Sequence, residues 1–150
     1  MSSNKSIVIL MADDDADDRL LAKDALAECQ VPNALHFVEN GEDLLDYLRH
    51  QGKYASLVDT PRPGLILLEL YMPRKDGREA LQEIKADPDL RTIPVVVLTT
   101  SKADTDISRL YGLGANSFIT KPVSYEALIK VMNDLVHYWF QLVELPPQKP

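Results

Sequence analysis

Three short stretches of this chain are apolar at almost every position: Ser6–Ala12 (SIVILMA), Leu65–Leu70 (LILLEL) and Val95–Thr99 (VVVLT). A strand covered on one face alternates apolar and polar residues, so near-continuous runs of this length fit central strands covered on both faces. Ala34–Glu39 and Ser117–Thr120 are shorter and weaker, which suits more peripheral strands. Between these runs lie amphipathic helical stretches at about Ala16–Gln30, Gly41–His50, Gly77–Ala86, Asp104–Leu113 and Ser124–Val143. Pro32 just after Val31 and Pro88 just after Ala86 act as stops, and Ser124 with Glu126 close behind it caps the last helix. Gln51–Gly64, with Pro61, Pro63 and two glycines, is longer than most connections of its kind. Five strands and five helices in alternation predict a (βα)5 chain wound on both sides of a parallel sheet.

Composition narrows the setting. At 150 residues the chain is long enough for one domain with its own core and too short for two ordinary ones. No apolar run is long enough for a membrane span, and the N-terminus MSSNKSIVIL lacks a cleavable signal pattern, so a cytoplasmic protein is expected. The single cysteine, Cys29, excludes an intrachain disulfide and a multi-thiolate metal site, and a buried helical position suits it. A net charge of −7 argues against nucleic acid and anionic lipid as partners. Much of that charge sits in Asp13, Asp14, Asp15, Asp17 and Asp18.

In an open parallel sheet, ligands bind beyond the carboxyl ends of the strands. The first strand ends in Asp13–Asp14, the third at Glu69 and the fourth at Thr99–Thr100, and the fifth runs into Lys121–Pro122. Three carboxylates on one rim repel each other unless a cation neutralises them, and oxygen-only ligands favour a hard ion such as Mg²⁺. A lysine and a hydroxyl opposite can hold the oxygens of a phosphoryl group. Any one of these residues alone would more often be a solvated loop charge or a helix cap. The combination at four strand ends, with thirty residues from Glu69 to Thr99 and twenty-two from Thr99 to Lys121, is specific.

The stretches VILMADDDADDRLL, LILLELYMPRKDG, IPVVVLTTSK and GANSFITKPVS resemble the receiver domain of two-component response regulators, over essentially residues 6 to 140. The resemblance implies the flavodoxin-like strand order 2-1-3-4-5, with an extended C-terminal helix, a receiver domain over residues 1–143 and a tail over 144–150. It implies that Asp13 and Asp14 organise Mg²⁺ and that Tyr71 offers the metal a backbone carbonyl. It makes Thr99 the switch hydroxyl, with Thr100 beside it, Phe118 the switch aromatic and Lys121 the phosphate-contacting lysine, joined to Pro122 by a cis bond. The Met72–Pro73 and Asp76–Gly77 pairs fit the loop that leads into the third helix. The chain departs from the pattern at one position: where a receiver carries the phosphoacceptor aspartate, it has Glu69. The added methylene moves the carboxylate by roughly a bond length, a displacement that can cost ~100-fold where geometry supplies the catalysis. It also pushes negative charge toward Thr99 and Lys121, so that Glu69 partly imitates a phosphoryl group and favours an active-like state. The alternative is that Glu69 merely pairs with Lys121.

In the last helix Leu128, Met132, Leu135, Trp139 and Leu142 form one apolar stripe, and Tyr125, Ile129, Val136, Phe140 and Val143 form an adjacent one. So wide an apolar surface suits an interface, most simply a homodimer through Tyr125, Ile129, Val136, Trp139, Phe140 and Val143; the alternative is a tail folded back on its own domain. Such a tail, with the long Pro-containing loop, is similar to the single-domain response regulators that pair with bacterial and cyanobacterial phytochromes. The resemblance therefore implies a histidine kinase partner, with a phytochrome as the candidate, and a signalling switch with no small-molecule substrate and no enzymatic output. No DNA-binding or enzymatic segment follows in this sequence, so output through protein contacts is expected. His36, His50 and His137 have no ligand spacing and suit surface or core roles. A magnesium-dependent phosphatase or phosphotransfer enzyme is the runner-up, but it wants an Asp nucleophile and a substrate pocket. A flavin or nucleotide binder wants a Gly- and Ser-rich loop where this chain has five aspartates.

Overall fold

The computed structural model describes residues 7–28 and 33–146. Its strands are β1 (Ile7–Ala12), β2 (Asn33–Val38), β3 (Leu65–Leu68), β4 (Val95–Thr99) and β5 (Ser117–Thr120), and its helices are α1 (Ala16–Ala27), α2 (Gly41–Arg49), α3 (Gly77–Ala86), α4 (Asp104–Gly112) and α5 (Tyr125–His137). All strand pairs are parallel, in the expected order β2-β1-β3-β4-β5. Among the described residues no helix is long and apolar enough to cross a membrane. The expected helical ends at Cys29, Gln30 and Pro32 lie outside the described residues.

Successive residues of a strand point to opposite faces, and the two faces have separate cores. Leu10, Ile66, Leu68, Val95 and Val97 pack on Leu44, Leu48, Leu81 and Ile84 of α2 and α3, with Leu110 of α4. On the other side Ile9, Met11, Leu65, Leu67, Val96 and Leu98 meet Ala22, Ala25 and Leu26 of α1 and Met132, Leu135 and Val136 of α5. Every residue of β3 and β4 is buried, which is why those runs carry no polar alternation. The edge strand β5 is only half-buried.

Two boundaries differ from expectation for reasons that matter to the site. β3 stops at Leu68, two residues early, because the chain turns there: Glu69 N–H still bonds Ala12 O at 2.9 Å, but Leu70 N–H is taken by the Glu69 side chain and Leu70 O accepts from Gly77 N–H. α5 ends as an α-helix at His137, and Tyr138–Leu142 continue as a π turn. The extra residue per turn in that segment shifts the apolar register the uniform helix predicted. The long loop also holds a 3-10 turn at Gly52–Leu57.

The α5 stripes are used differently from the expectation. Val136, assigned above to a dimer surface, is buried inside the fold, as are Met132 and Leu135. Leu128, Ile129, Trp139 and Phe140 are half-buried against the same core. Leu142, placed in the inward stripe, is 62% exposed, with Tyr125 and Tyr138 also exposed. The three histidines have local roles: His36 Nδ1 and Tyr47 Oη are 2.7 Å apart, His50 ends α2 in the left-handed conformation, and His137 Nδ1 lies 2.7 Å from Gln141 Oε1.

Candidate functional site

The acidic run after β1 divides among distinct tasks. Asp13 N–H bonds Val38 O at 3.0 Å, continuing the β1–β2 ladder one residue beyond the strand, and this turns the Asp13 side chain into the rim between β1 and β3. Its Oδ1 accepts from Asp15 N–H at 2.9 Å. Asp15 caps α1, accepting from Asp17 N–H and Asp18 N–H at 2.8 and 3.2 Å. Asp14 and Asp17 are exposed. The cap places Asp18 in the first turn of α1, facing back toward the strand ends.

Lys121 closes the site. Its N–H bonds Thr99 O at 2.7 Å, fixing the backbone just past β5. Its ammonium donates to Asp13 Oδ2 at 2.6 Å, to Asp18 Oδ2 at 2.8 Å and to Glu69 Oε1 at 2.8 Å. The other Glu69 oxygen accepts from Leu70 N–H at 2.6 Å and, at 3.5 Å, from Tyr71 N–H. One cation thus gathers carboxylates from β1, α1 and β3. Burial would lower the pKa of Lys121, but the hydrogen bonds to Asp13, Asp18 and Glu69 outweigh it and hold the ammonium above the ordinary lysine value. Asp13 goes the other way for a carboxylate: burial raises its pKa, and the bonds from Lys121 and Asp15 only partly offset that.

Of the residues expected at the rim, Asp13, Glu69 and Lys121 are brought together. Thr99 is fully buried, and its Oγ1 accepts from Ser101 N–H at 3.4 Å. The Glu69 charge therefore reaches Lys121, as expected, but stops at its own loop and does not engage Thr99. Thr100 and Asp14 are exposed, outside the cluster. Phe118 is half-buried against the α2–α3 core, with its N–H bonded to Tyr111 Oη at 3.1 Å. The Lys121–Pro122 peptide is trans, correcting the cis bond the resemblance implies. An X–Pro bond prefers trans by only ~0.5–1 kcal/mol, so local contacts decide the isomer; here trans is the form in which Lys121 is held at both its N–H and its ammonium.

Tyr71 has a role the sequence did not suggest. Its side chain is half-exposed, and its hydroxyl donates to Asp106 Oδ2 at 2.7 Å. Ser101 Oγ donates to the same oxygen at 2.7 Å, and Arg78 Nη1 lies 3.8 Å from Asp106 Oδ1. Asp18, Ser101, Arg78 and Asp106 were all missed. Asp18 could have been found, since a residue in the first turn after a strand end shares the rim. Asp106 carries no sequence signal beyond its place in a first turn.

Asp13 Oδ2 and Glu69 Oε1 converge on one point, and an oxygen-only donor pair of this charge suits a hard divalent cation. That point is where the Lys121 ammonium stands. Among the described residues no group of three His, Cys, Asp or Glu side chains is ready to hold a metal as it is.

Residues 9–133 match the response regulator receiver domain family. The chain belongs to that family. The response regulator Rcp1 of Synechocystis sp. is 40% identical over 144 residues, 96% of either chain. The crystal structure of the phosphorylated cyanobacterial phytochrome response regulator RcpA matches this receiver with a TM-score of 0.88 and 40% identity, covering 95% of this chain and 100% of that one. The Mn²⁺-bound form of Rcp1 matches with a TM-score of 0.86 and 39% identity, covering 94% and 99%.

Proposed function

We propose that this receiver is a cytoplasmic single-domain response regulator of a two-component pathway. Its partner is a histidine kinase of the phytochrome kind, and its output is made through protein contacts at the α4, β5 and α5 face. Likeness to the cyanobacterial phytochrome response regulator RcpA over almost the whole of each chain supports the phytochrome partner. In this reading Asp13, Asp14 and Glu69, with the Tyr71 carbonyl, hold Mg²⁺, which supplies positive charge to phosphoryl oxygens. The chain's own part is to keep Lys121 charged and fixed through Asp13, Asp18 and Glu69.

Glu69 stands in the phosphoacceptor position and is not efficiently phosphorylated. The observation that carries this is the commitment of both its oxygens, one to Lys121 and the other to the loop N–H groups of Leu70 and Tyr71. These bonds hold the carboxylate in one orientation, and a carboxylate set a bond length out of place approaches phosphorus poorly. Since Glu69 already neutralises Lys121, the receiver works in a fixed state. Tyr125, Ile129, Trp139, Phe140 and Val143, with Leu142 in place of the buried Val136, offer the surface for a homodimer.

Intact mass after incubation with a small acyl-phosphate donor and Mg²⁺, run on this chain and on Glu69→Asp, tests the reading. The Asp variant gains one phosphoryl group and the Glu chain does not, while light scattering finds the Glu chain as dimeric as the phosphorylated Asp variant. Ready phosphorylation of the Glu chain overturns the role given to Glu69, and failure of both overturns the phosphotransfer pocket.

A further inference from the structure

Asp106 is a buried acid in the first turn of α4, outside the Lys121 cluster, and three groups from three other segments converge on it. The Tyr71 hydroxyl and the Ser101 hydroxyl both donate to its Oδ2 at 2.7 Å. Arg78 of α3 lies 3.8 Å from its Oδ1, bonds Asp76 Oδ2 at 3.2 Å and stacks over the Tyr71 ring with the guanidinium carbon 5.2 Å from the centroid. Hydrogen bonds from Ser101 and Tyr71 hold the Asp106 carboxyl below its ordinary pKa.

The start of α4 depends on these bonds. Of the five α-helices, α1, α2, α3 and α5 have N-caps whose side chains bond the first turn, through Asp15, Asn40, Asp76 and Ser124. The N-cap of α4 is Ala103, which has no side-chain oxygen to offer. In place of a cap, α4 is held from outside, through Asp106.

Both tethers lead back to the pocket. Tyr71 is two residues past Glu69, and its N–H lies 3.5 Å from Glu69 Oε2. Ser101 is two residues past Thr99 and donates its N–H to Thr99 Oγ1 at 3.4 Å. The path Glu69, Tyr71, Asp106, Ser101, Thr99 therefore joins the ends of β3 and β4 through the first turn of α4.

We propose that Tyr71 and Ser101, bonded to Asp106, form a tie that sets the position of the α4 N-terminus according to where the loops after β3 and β4 stand. Anything that moves the Glu69 loop or draws Thr99 inward pulls on the same carboxylate and loosens or tightens α4. The tie is a property of this chain's own residues, and its link to pocket occupancy rests on the cation reading above.

The test is amide hydrogen exchange of Ile107, whose N–H bonds Ala103 O at 3.0 Å across the first turn of α4. It is measured by NMR on the full chain and on Tyr71→Phe, which removes the hydroxyl but keeps the ring over Arg78. Tyr111→Phe, which removes a hydroxyl from the far end of α4, is the control. Loss of one hydrogen bond to a charged acceptor speeds Ile107 exchange about tenfold or more in Tyr71→Phe and leaves it unchanged in Tyr111→Phe. Addition of MgCl₂ changes Ile107 exchange in the parent chain and no longer does so in Tyr71→Phe. Equal Ile107 exchange in the parent chain and Tyr71→Phe without MgCl₂, or equal acceleration in Tyr111→Phe, overturns the tie. If MgCl₂ shifts the resonances of Asp13 and Glu69 but Ile107 responds alike in both chains, the tie is not the route from the pocket. If MgCl₂ leaves Asp13 and Glu69 unmoved, the cation reading fails, and the comparison without MgCl₂ still decides the tie.

Discussion

Replacing Lys121 by methionine keeps most of the side-chain volume and removes the cation that, among the described residues, neutralises the carboxylates converging on it. Its side chain is 9% exposed, against 1% for Asp13 and 10% for Glu69, so two of its three ion pairs are shielded from water. The third partner, Asp18, is 34% exposed and contributes little by comparison. Removing one partner of a buried pair costs about 3–5 kcal/mol, because the remaining charge has neither partner nor water. At about 2–4 °C per kcal/mol for a domain of this size, melting in EDTA at pH 7.5 falls by about 6–20 °C. The sign with pH follows from Asp13. Its folded pKa is raised, so the folded state binds a proton more tightly than the unfolded state, and the cost of its charge appears as pH rises through that raised value. Without Lys121 the raising is greater, and the deficit of the variant shrinks as pH falls toward the ordinary carboxylate range. MgCl₂ stabilises the variant more than the parent, because the parent's ammonium competes for the same oxygens; a cation at a hundredfold excess over its Kd adds about 2.7 kcal/mol. A variant that melts within about 2 °C of the parent in EDTA, with no larger response to MgCl₂, would refute the view that Lys121 neutralises this cluster.

Gly77→Ala sets a Cβ against the Glu69 carbonyl oxygen, closer than real Cβ contacts come, so backbone must move; a loss of about 1–3 kcal/mol by urea melting is expected, with a shifted Glu69 environment. Asp106 has a depressed folded pKa, so the stability it contributes is present above the ordinary carboxylate pKa and is lost as pH falls through the depressed value; Asp106→Asn flattens that part of the acid-unfolding curve. Leu142→Asp puts a charge on an exposed position of the π turn and leaves the melting temperature unchanged, but if α5 and its tail form the dimer, light scattering finds the variant monomeric. Leu68→Ala, at a fully buried position of β3, costs about 2–5 kcal/mol in the same urea assay.

The hydrophobic pattern was enough to set the alternation of strands and helices, because β3 and β4 are buried on both faces and leave no polar signal to misread. The rim was legible for the same reason. Once the strand ends are known, parallel pairing brings Asp13, Glu69 and Lys121 to one edge, whatever separates them in sequence. Residues whose role depends on a second loop could not be found this way. Tyr71 and Asp106 lie thirty-five residues apart on different connections, and nothing in either neighbourhood shows that a hydroxyl will meet a carboxylate. The last helix was misjudged at two places: Val136, within the regular α-helix, was assigned outward and is buried, because the helix packs a wider face on the core than one stripe, and Leu142, assigned inward, is exposed in the π turn. The sequence by itself determined which side chains must gather at the strand ends, since parallel pairing is a repetitive rule that puts every strand's carboxyl end on one rim. The tertiary structure alone decided how their charges are shared: Lys121 takes up the oxygens of Asp13, Asp18 and Glu69, and Thr99 turns to Ser101, because those choices depend on distances of a few ångströms between segments that meet only after folding.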